Sequence, residues 1–197
     1  MAKLYFTYSA MNAGKSTILL QSAHNYRERG MTVMLWTSHF TKADDVDDAR
    51  ISSRIGLASD AHRFNGDVDL FSAIGTTHAG TPLSAVLLDE AQFLSPAQVW
   101  QLSRVADELG IPVLCYGLRT DFQGKLFDGS AELLGIADSL REIRTICHCG
   151  RKATMTARVD EAGQPQTEGQ QVDIDKDHYL SLCRQHWKEV TGLQADD

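Results

Sequence analysis

The run Ala13-Gly14-Lys15-Ser16-Thr17, lying between an extended apolar segment and a helical one, constrains this chain more than any other feature. Leu4 to Tyr8 mixes apolar, aromatic and β-branched residues and predicts a strand. Ser9 to Gly14 is small and loop-like, and from Lys15 a helix is expected to run to about Arg29 and stop at Gly30. Thr32 to Thr37 reads as a second strand, which completes the spacing of a β-α-β unit. A turn of this kind puts backbone N–H groups, a helix N-terminus and a lysine charge in one place, as the phosphates of a nucleotide require. The Ser16 hydroxyl is suited to hold Mg²⁺. The usual phosphate-loop pattern opens with a glycine where this chain has Ser9, a residue less tolerant of positive φ.

A second apolar run, Ser84 to Leu88, ends in the carboxylates Asp89 and Glu90. Beside a phosphate loop, the first acid fits a Mg²⁺ ligand and the second a base facing the reacting hydroxyl or water. Lys15, Ser16, Asp89 and Glu90 together point to phosphoryl transfer or nucleotide hydrolysis, chemistry that needs charge neutralisation and a positioned nucleophile. The tetrapeptide Asp89-Glu90-Ala91-Gln92 also resembles the acidic box of helicases, so a nucleic-acid-stimulated P-loop ATPase is an alternative. Against it, the net charge of −7 is the wrong sign for a protein that neutralises many backbone phosphates.

Ser95-Pro96 is expected to open a helix reaching Leu109, and Ile111 to Gly117 to form another buried strand with Cys115 in its core. Alternating strands and helices predict an α/β fold, a parallel sheet flanked by helices with ligands at the carboxyl ends of its strands. Residues 38 to 66 show little pattern, and Asp44 to Asp48 reads as a solvated acidic loop. His24, His39, His62 and His78 have no interpretable spacing. No window approaches the about 18 apolar residues of a membrane span and no leader segment is read, so a cytoplasmic protein without membrane partners is expected.

From Cys147 the texture changes. Thr154 to Val159 and Gln170 to Ile174 alternate like hairpin strands about a turn at Glu161 to Pro165, and a helix is expected from His178 to Val190. Cys147, Cys149, Cys183 and His186 bracket this segment, and a Cys₃His set suits a tetrahedral, structural Zn²⁺. His148 in place of one ligand is a competing assignment. The domains expected are a nucleotide-binding α/β unit at 1–144, a zinc-binding lobe at 145–192 and a tail at 193–197.

Taken in order, the phosphate loop from Met11 to Thr17, the box Asp89 to Phe93, the run Tyr116 to Phe122, the segment Cys147 to Ala153 and Tyr179 to Cys183 resemble the type II, zinc-containing thymidine kinases over nearly the whole chain. The resemblance implies a RecA-like P-loop sheet with a small zinc-ribbon-like lobe carrying a lasso loop. It implies transfer of the ATP γ-phosphate to the 5′-hydroxyl of thymidine, with deoxyuridine also accepted, for DNA synthesis. Ser9, Ala10, Met11, Asn12, Ala13, Gly14, Lys15, Ser16, Asp89 and Gln92 would bind ATP, and Ser16 and Asp89 would hold Mg²⁺. Glu90 would be the catalytic base. The nucleoside pocket maps onto Met11, Phe93, Leu118, Phe122, Phe127, Thr156 and Tyr179. A homotetramer and feedback inhibition by thymidine triphosphate are implied as well. Relatives carry a Gly-Gly step in the lasso, whereas Val172 to Tyr179 lacks it and is one residue shorter. Arg50, Arg54 and Arg119 are the candidates for an arginine assisting the phosphoryl group.

Overall fold

The computed structural model describes residues 1–39, 49–169, 171 and 178–193. In chain order the strands are β1 (Leu4–Ser9), β2 (Val33–Ser38), β3 (Arg50–Ser52), β4 (Ala58–Asp60), β5 (His62–Phe64), β6 (Ala85–Leu88), β7 (Val113–Leu118), β8 (Ser139–Glu142), β9 (Thr145–Ile146), β10 (Lys152–Ala153), β11 (Met155–Val159), β12 (Pro165–Gln166) and β13 (His178–Leu182). The helices are α1 (Lys15–Glu28), α2 (Leu70–Gly80), α3 (Pro96–Glu108), α4 (Asp128–Ile136) and α5 (Arg184–Thr191).

A six-stranded sheet of order β5-β2-β6-β7-β1-β8 forms the body of the protein, and its pairings are parallel. The cause lies in the alternation along the central strands. Met34, Trp36, Val86, Leu88, Val113 and Cys115 point to one face, where Leu70 and Ile74 of α2, Val99, Leu102 and Val105 of α3 and Leu133 of α4 cover them. Leu35, Ala85, Leu87 and Tyr116 point to the other, under Leu19, Leu20 and Ala23 of α1 and Ile51 of β3. Strands apolar on both faces can only sit between two layers, and each large side chain so buried contributes about 1.5–3 kcal/mol.

β7 stands between β1 and β6, the order expected of a RecA-like P-loop sheet. Its register sets Leu118 beside Ser9 and Cys115 beside Leu88, so the loops after β1, β6 and β7 emerge at one edge. α3 opens with a full capping box: Ser95 accepts from the Gln98 N–H, and the Gln98 side chain accepts from the Ser95 N–H.

The C-terminal lobe is built on β11, which pairs antiparallel with β12 through the expected turn and with β13 on its other side. Here the sequence expectation fails: His178 to Leu182 is a strand, not the start of a helix, and α5 begins only at Arg184. Pairing with β11 from Met155↔Leu182 to Val159↔His178 overrides the helical reading of a short apolar run. Apart from Gln171, the expected strand at Gln170 to Ile174 lies outside the described residues, as do most of the lasso and the acidic run Asp44 to Asp48. Between 49 and 66 the patternless stretch folds as the β3–β4 hairpin and β5.

Candidate active site and metal centre

Two backbone positions set the edge of the sheet for phosphate. Gly14 sits at φ 83 immediately before α1, a left-handed conformation that frees the first helical N–H groups to point outward. Asn12 also has positive φ, and its side-chain amide donates to the Tyr179 carbonyl at 3.1 Å. Ser9 is not in the left-handed region, so the glycine of the usual pattern has no conformational work to do here. Instead the buried Ser9 hydroxyl accepts from the Lys15 ammonium at 3.3 Å and donates to the Ala10 carbonyl at 2.7 Å.

Lys15 is itself only 7 % exposed. Burial lowers its pKa, Glu90 and Asp89 oppose that shift, and the charge of Arg54 reinforces it. Asp89 continues β6, its N–H donating to the Trp36 carbonyl at 2.8 Å. Its carboxylate receives the Glu90 N–H at 3.1 Å and a side-chain hydrogen bond from Ser16. Burial first, then the Glu90 charge, push the Asp89 carboxyl up to about 7 despite Ser16 and Lys15. Glu90 adopts φ 54, costly for a residue with a side chain. The buried Gln92 donates to the Glu90 carboxylate at 2.5 Å while its amide oxygen accepts the Leu118 N–H at 3.0 Å, tying Glu90 to the end of β7.

A cavity of about 360 Å³ opens over these groups, lined by Met11 to Thr17, Ser52 to Ile55 and Glu90. Of the residues expected to bind phosphate, Met11, Asn12, Ala13, Gly14, Lys15 and Ser16 line it; Ser9, Asp89 and Gln92 stand behind as its buried support. Ala10 is also buried. The cavity separates the three arginine candidates. Arg54 lines it, Arg50 lies on β3 with an exposed side chain, and Arg119 is engaged with the Thr154 carbonyl at 3.1 Å. Sequence reading could not rank them, because the β3–β4 hairpin that carries Arg54 inward has strands of only three residues.

The residues expected to form a base pocket gather beside this cavity. Thr156 accepts the Met11 N–H at 3.1 Å, and Ser181 donates to the Met11 carbonyl at 2.6 Å, so β11 and β13 hold the first turn of the phosphate loop. Phe93 and Phe127 meet edge to face at 5.8 Å between ring centres. Leu118, Phe122, Phe127 and Thr156 are buried, while Met11, Phe93 and Tyr179 are partly exposed. Trp187 of α5 donates to the carbonyls of both Phe122, at 3.2 Å, and Thr156, at 3.0 Å, which joins the C-terminal helix to this wall.

Cys147, Cys149, Cys183 and His186 converge, their ligand atoms all within 4.8 Å of one another. Tetrahedral zinc with bonds of about 2.3 Å to sulfur and about 2.0 Å to nitrogen needs S···S near roughly 3.8 Å and S···N near roughly 3.5 Å. Cys149 Sγ to Cys183 Sγ is 4.0 Å, and His186 Nδ1 is 3.3 Å and 3.4 Å from the sulfurs of Cys147 and Cys183. The donor set thus fits zinc, with four protein ligands and no open position. His148 stacks on His186 with ring centres 4.3 Å apart but is not one of the four. Glu189 lies 3.7 Å from His186 Nε2, the place of a group that fixes the tautomer of a metal-bound histidine. Cys147 is drawn down to about 6, desolvation opposing the N–H groups of Cys149 and Cys183 and the His186 ring. Of the four histidines without interpretable spacing, His24 faces Glu28, His62 packs on Trp36, the His39 backbone N–H donates to the Phe64 carbonyl and His78 accepts the Leu83 N–H. Cys115 is fully buried in β7.

Comparison with known proteins agrees with this arrangement. The family model described as thymidine kinase matches residues 2–187. A thymidine kinase of Novosphingobium aromaticivorans is 61% identical over 193 residues, covering 98% of this chain and 100% of the relative. Those of Mesorhizobium japonicum and Vibrio cholerae are 58% and 56% identical, covering 100% and 98% of this chain and 96% and 100% of the relatives. A match of this extent, reaching from the phosphate loop to the Cys₃His cluster, leaves one conclusion: the chain belongs to the thymidine kinase family.

Proposed function

We propose that this chain transfers the γ-phosphate of ATP to the 5′-hydroxyl of thymidine, and accepts deoxyuridine as well, in deoxynucleotide salvage. The observation that carries the reading is the single cavity in which the phosphate loop, Arg54 and Glu90 meet, in a member of the thymidine kinase family.

In this reading the outward N–H groups of residues 11–16 and the Lys15 ammonium bind the ATP phosphates. Arg54, from the opposite wall, takes up charge on the transferring group. Ser16 and Asp89 would hold Mg²⁺, which would supply charge neutralisation for the phosphates. The buried Asp89 carboxyl, hydrogen-bonded to Ser16 and crowded by the Glu90 charge at the cavity's edge, supports a cation at that place. Glu90 accepts the 5′-hydroxyl proton, its carboxylate aimed by the left-handed backbone and by Gln92. Met11, Phe93, Leu118, Phe122, Phe127, Thr156 and Tyr179 form the nucleoside pocket, with the buried rings serving as its wall and the partly exposed groups as its contact surface. Zinc at the Cys₃His cluster serves the lobe's structure.

The reading extends to a boundary between an α/β domain at 1–144 and a zinc lobe at 145–192, followed by a tail at 193–197. It also includes a homotetramer, feedback inhibition by thymidine triphosphate and a cytoplasmic location; among the described residues no helix is long and apolar enough to cross a membrane.

The test is thymidine-dependent formation of ADP and thymidine monophosphate with ATP and Mg²⁺. Glu90→Gln is expected to lower turnover by about 10²–10⁴ while leaving ATP binding in place. Hydrolysis stimulated by DNA or RNA and indifferent to thymidine would replace this reading with the helicase-type one.

A further inference from the structure

Phe122, expected to flank the nucleoside base, is gripped from behind. The guanidinium of Arg158 lies over its ring at 4.0 Å from the centre, and Arg158 is only 5 % exposed. A cation so desolvated against an aromatic face is strongly held. The same guanidinium donates to the Glu168 carbonyl at 2.8 Å. On either side of that contact the chain is caught again. Gln123 donates to the Thr167 carbonyl at 2.9 Å, and Gln171 donates to the Asp121 carboxylate at 3.0 Å. Asp121 is 4 % exposed, and its other oxygen accepts the N–H groups of Gln123 and Lys125, both at 2.9 Å, so the loop that receives the arm is itself fixed. Gly169 completes the fit: it sits at φ 117, and a Cβ there would lie 2.5 Å from the Arg158 guanidinium.

Three side chains from two places in the chain thus converge on Thr167, Glu168, Gly169 and Gln171, partly or fully exposed residues that are not among those forming the lobe's apolar core. Holding such an arm gains little for folding. It makes physical sense as a way of fixing the loop at 121–123, and with it the Phe122 ring, against the described part of the arm.

We propose that Asp121, Gln123 and Arg158 form a positioning latch that fixes the arm at 167–169 and Gln171 to the Phe122 wall and thereby sets affinity for the pyrimidine nucleoside independently of ATP. None of the three need touch a reacting atom; they act through Phe122 and the arm. The inference rests on the thymidine kinase reading above, which supplies the nucleoside.

The experiment begins by introducing one charge at an exposed position, where folding is least affected. Gln171→Glu sets two carboxylates face to face and is expected to raise the thymidine KM about tenfold, with kcat and the ATP KM within about twofold. Adding Asp121→Asn to that variant supplies an amide donor to the new carboxylate and is expected to return the thymidine KM to within about twofold of the starting protein. Arg158→Lys, which cannot both cover the ring and reach Glu168, is expected to raise the thymidine KM selectively. An unchanged thymidine KM in Gln171→Glu, an equal rise for ATP, or no recovery in the double variant overturns the latch. Absence of thymidine turnover in the unaltered protein refutes the underlying reading instead, and the latch with it.

Discussion

Burial and the neighbouring Glu90 charge push Asp89 up to about 7, against an ordinary value of 3.8. Between those two values the folded protein binds a proton that the unfolded chain does not, so the stability of the ligand-free protein falls as pH rises through the window. Asp89→Asn removes the charge and keeps an oxygen for the Glu90 N–H. In metal- and nucleotide-free buffer it is expected to melt higher than the unaltered protein at about pH 8, with the gap closing by about pH 4, while kinase turnover is lost. Thermal unfolding at both pH values checks this; a variant that melts lower at the higher pH would show that the carboxylate is a net stabiliser. The same scale shows what single residues reveal in sequence. Lys15, Ser16, Asp89 and Glu90 were legible because their chemistry comes in fixed local spacing. The use of Gln92 as a bridge from Glu90 to Leu118 and the entry of Arg54 into the cavity were not, because each depends on a partner far along the chain or on a hairpin too short to read.

Among the elements, β2, β6 and β7 announced themselves as apolar runs because helices cover both their faces, whereas β3, β4, β5 and β8 are at most four residues long and partly exposed, so neither length nor alternation marks them. β13 was misread for a further reason. His178 to Leu182 carries an apolar pattern compatible with either state, and only the long-range pairing with β11 decides it. The consequence is functional, since a strand there brings Tyr179 and Ser181 onto Asn12 and Met11. α5 then returns across the lobe and plants Trp187 under the base wall. Trp187→Phe keeps most of the packing but leaves the carbonyls of Phe122 and Thr156 without their buried donor, a loss of about 1–3 kcal/mol. The expected outcome is a lower melting temperature together with a thymidine KM raised more than that for ATP, measured by steady-state kinetics. Equal effects on both substrates would mean that the helix supports the phosphate loop as much as the wall.

Over the whole molecule, in the proposed reading, the parallel sheet supplies the phosphate side of the site from local motifs, while the nucleoside side would be assembled from segments on both sides of Cys147 that meet only in three dimensions. That division explains why the first half of the site was readable and the second needed a family likeness. It also separates the energetics. The lobe's apolar core is small, Cys147, Ala153, Ala157, Leu182, Cys183 and Trp187, and two of these six are ligands of the Cys₃His cluster. A core of that size supplies little stability by itself, so in the proposed reading the free energy of binding zinc would contribute much of the free energy of folding the lobe. The sheet beneath it has its own cores on both faces, built without any residue of the cluster. Stripping zinc with a chelator from the intact protein is therefore expected to abolish thymidine phosphorylation while weakening binding of a fluorescent ATP analogue by no more than about threefold, with recovery on adding Zn²⁺ back. The modest loss for ATP follows from the contacts of Thr156 and Ser181 with Met11, which would go with the lobe. If the stripped protein instead lost both ligands together, the lobe and the sheet would have to fold as one cooperative unit; if it lost neither, the cysteines and His186 would be packing residues and the zinc assignment would fall.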